Sequence, residues 1–233
     1  MSDGDRVPSA VMLRAMVSLG GMFVFLAVAM FLPAGDIRWA KGWFFLLVFL
    51  VLVILNVVYL SRANPDIFVA RSKIHEGTKS WDKVVVFFLL VLFALIFPLA
   101  ALDAGRFHWS TVPPWLNIVG YVFFILGVVG SVWAMSVNKF AEPSVRIQTE
   151  RGHRVVDTGP YAIVRHPYYL ASFFLVGGIP LALGSYWALI PATIGSLVLI
   201  VRTALEDRTL QNELEGYREY TRRVRYRLIP GVW

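Results

Sequence analysis

The chain has 233 residues and a formal net charge of +7; charged side chains make up only 16% of it and hydrophobic ones 58%. A soluble domain carries about 25% charged residues, so a water-soluble globular enzyme is excluded, and 17 Phe, 9 Tyr and 8 Trp exclude a disordered chain. With no cysteine there is no disulfide or thiolate site, and the four histidines lack the spacing of a ligand pair, so no metal site is expected.

Crossing the hydrocarbon core takes about 20 apolar residues. Residues 15–35, 42–61, 84–102 and 115–137 are four runs without a charge. The first lacks a small-residue cleavage site and is kept as a span rather than a signal peptide. Residues 167–201 form a fifth run, too long for one ordinary span, with Gly184-Ser185 near its middle as a turn signal. It reads as a tight hairpin of two short spans, which brings the total to six. The expected fold is therefore an all-α integral membrane protein. Residues 1–137 hold four spans, and residues 138–233 hold a cofactor-binding segment, the hairpin and an amphipathic C-terminal helix.

Orientation follows from the basic residues. Nineteen of the 22 Lys and Arg fall in 1–14, 62–83, 139–166 and 202–227; the other side has Arg38, Lys41 and Arg106. Both termini and both long polar segments are thus expected in the cytoplasm, and the positive charge is topological, with some attraction to anionic lipid. Nucleic acid is not an expected partner. No charged residue lies deep in a span, which counts against an ion-coupled transporter.

Asn64-Pro65 ends the second span, and the mixed stretch 67–83 reads as lying on the membrane surface. Leu210, Leu214, Tyr217, Thr221 and Val224 recur at spacings of four and three, predicting one amphipathic helix from Glu206 onward. Arg222 to Trp233, basic and aromatic, reads as an anchor in the headgroup region.

The chemistry-bearing residues gather at the cytoplasmic rim. Residues 147–171 place Gln148, His153, Asp157, Tyr161, Arg165, His166 and two more tyrosines beside the membrane. Pro167 suits the first turn of a helix, which puts Arg165 and His166 at its N-terminus, where backbone N–H groups favour anions. A hairpin returns its far end to its start, so Arg202, Glu206 and Asp207 are expected near His166 and Tyr169. Arg202 and Glu206, four apart, share a helix face. Gly127 and Gly130 are expected to serve helix packing.

RHPYY (165–169), an apolar hairpin, then Arg202-x-x-x-Glu206-Asp207 and Gly216-x-x-x-Tyr220 resemble the isoprenylcysteine carboxyl methyltransferase family, with a related pattern in phospholipid N-methyltransferases. The resemblance is strongest over residues 138–233. It implies a membrane methyltransferase that uses S-adenosylmethionine and takes a lipophilic acceptor from the bilayer. Carried over by position, Gln148, His153, Arg154, Val155, Val156 and Tyr161 match the family's cofactor loop. His166, Pro167 and Tyr169 match the RHPxY element, Glu206 the acidic cofactor ligand, and Arg202 the arginine on the acceptor side. The sequence departs from the family pattern at Ala171, where Gly is usual, and at Asp207, where a second Glu is usual.

A carboxylate acceptor needs no general base and Arg202 suits its orientation; an amine or thiol must lose a proton, for which His166 is the nearest base. Carboxyl methylation of an isoprenylcysteine-like substrate is the leading expectation, with a lipid amine or a small lipophilic thiol as the other acceptors. A reductase using a phosphorylated dinucleotide fits poorly because the chain is short for it. A non-catalytic scaffold of the same fold would have no need of His166, Arg202 and Glu206.

Overall fold

The computed structural model describes residues 9–72 and 75–233, with side chains from residue 17 onward. The remaining N-terminal residues, and with them the expected location of the N-terminus, lie outside the described residues. The elements in chain order are α1 (Ser9–Ala34), α2 (Ala40–Ala63), a short α3 (Asp66–Ala70), α4 (Ser80–Ala100) continuing as π-helix through Ala101–Phe107, and α5 (Pro114–Val137). Two 3₁₀ turns at Thr149–Arg151 and Gly159–Ala162 lead to α6 (Pro167–Leu183), α7 (Leu189–Glu213) and α8 (Tyr217–Arg223). Among the described residues there is no β-strand.

Five helices are long and apolar enough to cross a membrane: α1, α2, α4 with its π-helical end, α5 and α7. The sixth expected span, α6, has 17 residues; at about 1.5 Å per residue it is roughly 26 Å long, short of the ~30 Å core. It starts at Pro167, whose missing N–H costs nothing there, and ends at Gly184, whose φ of +84° suits a left-handed cap. Exposed side chains such as Leu32, Leu47, Phe87, Ile118 and Leu197 cover the outer helix faces, as a lipid-facing surface requires.

What places α6 is its seam with α5. A Cβ at Gly127 would overlap the backbone of Leu175, and one at Gly120 the backbone of Leu181 and Ala182; Gly178 in turn faces the backbone of Phe124. The antiparallel helices therefore touch backbone to backbone, the close approach that small residues permit between membrane helices. A Cβ on Gly130 would lie 3.0 Å from the Ala171 methyl. Ala171 thus faces the seam, and the glycine opposite leaves room for its methyl.

The bundle has two poles. At the turn pole, Asn117 donates to Leu181 O (2.7 Å) and the fully buried Asp103 receives Ser110 N, Ser110 Oγ and Ser185 Oγ (2.6–2.7 Å). This ties the α6–α7 turn to the end of α4. At the opposite pole the starts of α4 and α6 meet the ends of α2, α5 and α7; Asn64 of α2's end donates to Met135 O of α5 (2.7 Å).

Two expectations about this pole are corrected. The predicted amphipathic helix is broken: α7 ends at Glu213, and Gly216 (φ +76°) starts α8 in a new direction. Leu214, Tyr217, Tyr220 and Val224 then bury their apolar face against Ile147 and Val155, on protein rather than lipid. The segment expected on the membrane surface is tied to protein where it is described, at 67–72 and 75–83. Ile67 and Ala70 are buried, Arg71 donates to Ala141 O (3.1 Å) and the Tyr168 hydroxyl (3.2 Å), and Lys79 N donates to Val145 O.

Candidate functional site

The two hairpin ends meet. His166 caps α6, and the backbone N–H groups of Arg165 and His166 donate to Tyr226 O and Arg227 O (both 2.9 Å), so the C-terminal segment straps the start of α6. The anchor expected for Arg222–Trp233 is therefore partly a framework piece. The Arg165 guanidinium holds Asp207 through Nε (2.8 Å) and Nη2 (3.2 Å) and donates through Nη1 to Val224 O and Arg225 O. Asp207, fully buried, also receives Arg227 Nε (2.9 Å), Gln211 Nε2 (2.7 Å), the Tyr217 hydroxyl and His166 Nε2 (3.3 Å). A carboxylate this deeply buried persists only with such partners. Both departures from the family pattern thus fall on the framework, at the Asp207 hub and the Ala171 seam.

Beside this hub lies a cavity of about 340 Å³, within the roughly 300–1,000 Å³ typical of small-molecule sites. One end is polar, walled by Gln148, His153, Tyr161, His166, Tyr169 and Glu206; the other runs between α4, α6 and α7 past Leu89, Phe93, Ile96, Val176 and Leu199. Arg154, Val155, Val156 and Arg202 also face it. Of the residues singled out from the sequence, Pro167, Asp207 and Asp157 are not in the wall: Pro167 is buried at the first turn of α6, Asp207 is the hub beside it, and Asp157 accepts from Arg223 (2.9 Å) at the surface.

At the polar end, Gln148 is buried, donating to Phe140 O (2.8 Å) and accepting from Arg151 (2.7 Å). The Gln148 backbone N–H points at His153 Nδ1 (3.3 Å), and the His153 ring lies on Phe140 at 4.6 Å. Burial pushes His153 down to about 4, so at neutral pH it is uncharged, with Nδ1 accepting and Nε2 left to donate. Burial likewise raises the Tyr161 phenol; its oxygen accepts from Asn138 (3.0 Å) and its carbonyl from the Tyr220 hydroxyl (2.7 Å).

In the middle of the cavity, the Tyr169 hydroxyl donates to Glu206 Oε2. The Tyr169 ring stacks on His166 at 5.7 Å and has the Arg202 guanidinium 5.3 Å from its centre. Because a carboxylate only accepts, the contact with Asp207 is made by a proton on His166 Nε2, and Nδ1 is the ring nitrogen not used by it.

Arg202, expected from the sequence on the acceptor side, is already engaged by the protein. It donates through Nε (2.8 Å) and Nη2 (3.1 Å) to Asp82, and through Nη2 to Pro143 O (2.8 Å). Sequence reasoning missed Asp82, fully buried in the first turn of α4, and Arg71, which lines the cavity from the stretch after α3. It also missed Glu142 and Arg146, a bidentate pair in the wall (2.7 and 2.8 Å). The available signal for Asp82 was a lone acidic residue bordering an apolar run, with a hairpin arginine needing a partner.

Two oppositely charged groups on α7 keep an open atom toward the cavity. Among the described residues, Glu206 Oε1 receives no protein hydrogen bond, and Arg202 Nη1 donates none. They stand one helical turn apart on α7. An open acceptor and an open double donor, between stacked aromatic rings, suit a ligand with a cationic or hydroxyl part and a neighbouring oxygen.

Comparison with known proteins agrees with the motif. Residues 119–212 match the isoprenylcysteine carboxyl methyltransferase (ICMT) family. The chain is also 30% identical over 170 residues to the cobalt-zinc-cadmium resistance protein CzcN of Cupriavidus metallidurans, an alignment covering 71% of this chain and 67% of that protein. With its apolar helices and this alignment, the chain is a multi-pass membrane protein of methyltransferase type, and it belongs to the isoprenylcysteine carboxyl methyltransferase family.

Proposed function

We propose that the protein is an S-adenosylmethionine-dependent methyltransferase whose acceptor is lipophilic and enters from the bilayer, with the carboxylate of an isoprenylcysteine-like substrate as the leading class. The observation that carries this reading is the two-ended cavity, with Glu206 Oε1 and Arg202 Nη1 open where its ends join. The residues present fit the donor. Glu206 would hold an ammonium or ribose hydroxyl, the rings of Tyr169 and Tyr161 would lie against sulfonium or adenine, and the uncharged His153 would donate from Nε2. When bound, S-adenosylmethionine supplies an electrophilic methyl group, which a carboxylate oxygen takes without losing a proton.

The protein's part is alignment and exclusion of water, the main levers for an in-line displacement. The Asn138–Tyr161 and Tyr220–Tyr161 bonds fix the polar wall, while Leu89, Phe93 and Ile96 keep the far end dry. Arg202 Nη1 offers two N–H donors to one acceptor oxygen. His166 Nδ1 would serve as base for an amine or thiol acceptor, the second class.

Calorimetry with S-adenosylhomocysteine in detergent tests the donor site. Glu206→Ala and Tyr169→Ala are each expected to weaken binding at least tenfold, and heat of binding that survives both overturns it. Transfer of labelled methyl into membrane extracts tests the acceptor: base-labile label marks an ester, and base-stable label moves the assignment to an amine or thiol. The basic residues favour a cytoplasmic site pole; since the chain has no cysteine, a single cysteine introduced at exposed Arg154 and labelled from one side of sealed vesicles reports it directly.

A further inference from the structure

We propose that Asp82 is a positioning residue that holds Arg202 away from Glu206, keeping the Glu206 carboxylate open for the methyl donor; this rests on the functional reading above. Asp82 lies on α4, outside the segment 119–212 that matches the family.

The geometry is a clamp. Both Asp82 oxygens are used: Oδ1 takes Arg202 Nε, and Oδ2 takes Arg202 Nη2 and the Val145 N–H (2.7 Å). The fork fixes the plane of the guanidinium, while Tyr169 covers it at 5.3 Å. Arg202 Nη2 also reaches Pro143 O, so α4, α7 and the segment 143–145 are joined through this one carboxylate. Only Nη1 remains open.

Without Asp82, Arg202 has an obvious second partner. Glu206 follows by four residues on the same helix face, the spacing at which Arg and Glu pair. Its Oε1 is open, and Arg202 is buried, where an unpaired guanidinium is costly. Arg202 would then swing onto Glu206 and neutralise the group assigned to the donor. The Asp82 charge therefore separates two functional charges that would otherwise cancel. A buried ion pair adds little net stability over an apolar pair of similar size, so orientation is the better account of its presence.

The test is a double-mutant cycle on the full chain in detergent, read by calorimetry with S-adenosylhomocysteine and needing no turnover. Asp82→Asn is expected to weaken binding about tenfold. Adding Arg202→Met, which removes the competing guanidinium, is expected to restore binding to within threefold of wild type. Wild-type affinity in Asp82→Asn, or a loss that Arg202→Met fails to restore, overturns the proposal, since a merely structural role predicts no rescue. If Asp82→Asn yields no folded protein, Asp82→Ser takes its place and the same two outcomes decide. No heat with the wild-type chain overturns the methyl-donor reading, and this inference with it. Heat in the wild type without rescue overturns this inference alone.

Discussion

Asp207 and Asp103 are both fully buried, yet they sit at opposite poles of the same hairpin and are held by different chemistry. Asp103, at the turn, is surrounded by neutral donors: two serine hydroxyls and the backbone of Ser110 and Trp187. Asp207, at the open end, gathers Arg165, Arg227 and His166 as well as Gln211 and Tyr217. A turn needs only a fixed distance, which neutral hydrogen bonds supply. At the open end, cations must be brought out of water beside a ligand cavity, and each requires a counter-charge. The same residue type therefore pins one pole and organises the other.

Removing the charge at each pole should separate the two cases. Asp207→Asn leaves Arg165 and Arg227 without their anion, and a loss of roughly 3–5 kcal/mol is expected, read as the shift in thermal unfolding in detergent. Asp103→Asn keeps an accepting oxygen among neutral donors and is expected to cost only about 1–3 kcal/mol. Equal losses would break the comparison.

Acidification should act at the site pole. The usual imidazole titrates near 6.5, and folded His153 near 4, so the unfolded chain takes up a proton that the folded one refuses. Its contribution is full above about pH 6.5 and declines toward pH 4 by about 1–2 kcal/mol, allowing for its partial exposure. Thermal unfolding followed over that range should show the decline in the wild type and a shallower one in His153→Gln.

The smallest effect is expected just off the seam that connects the poles. Gly177 on α6 has nothing within 4 Å of a built Cβ, so Gly177→Ala is expected to change stability by no more than about 0.5 kcal/mol. Gly127→Ala, aimed at the Leu175 backbone, should cost about 1–3 kcal/mol through overpacking. The pair, measured side by side, shows whether backbone contact or mere helix content holds α6 in place.

Much of the site was legible before any coordinates. A charge-free run of double length with Gly184-Ser185 inside it must fold back, and folding back brings Arg165–Tyr169 to Arg202–Asp207. What escaped were partners distant in sequence. Asp82 is 120 residues from Arg202, and Arg71 is 97 from Tyr168; no periodicity links such pairs. The helix expected from Glu206 onward failed for a related reason: the apolar spacing continued correctly across Gly216, but a left-handed residue redirected the chain while its buried face stayed buried.

Hydropathy and charge alone determined that this is a helical membrane protein with its polar chemistry at one pole, because apolar runs and basic flanks are local properties of the chain. Only the folded bundle decided that α6 seats backbone to backbone on α5, that Asp207 serves the framework, and that Arg202 reaches the cavity already held by Asp82. Those outcomes depend on which helices approach closely enough to share one carboxylate, and that distance is set by packing between segments far apart in the sequence.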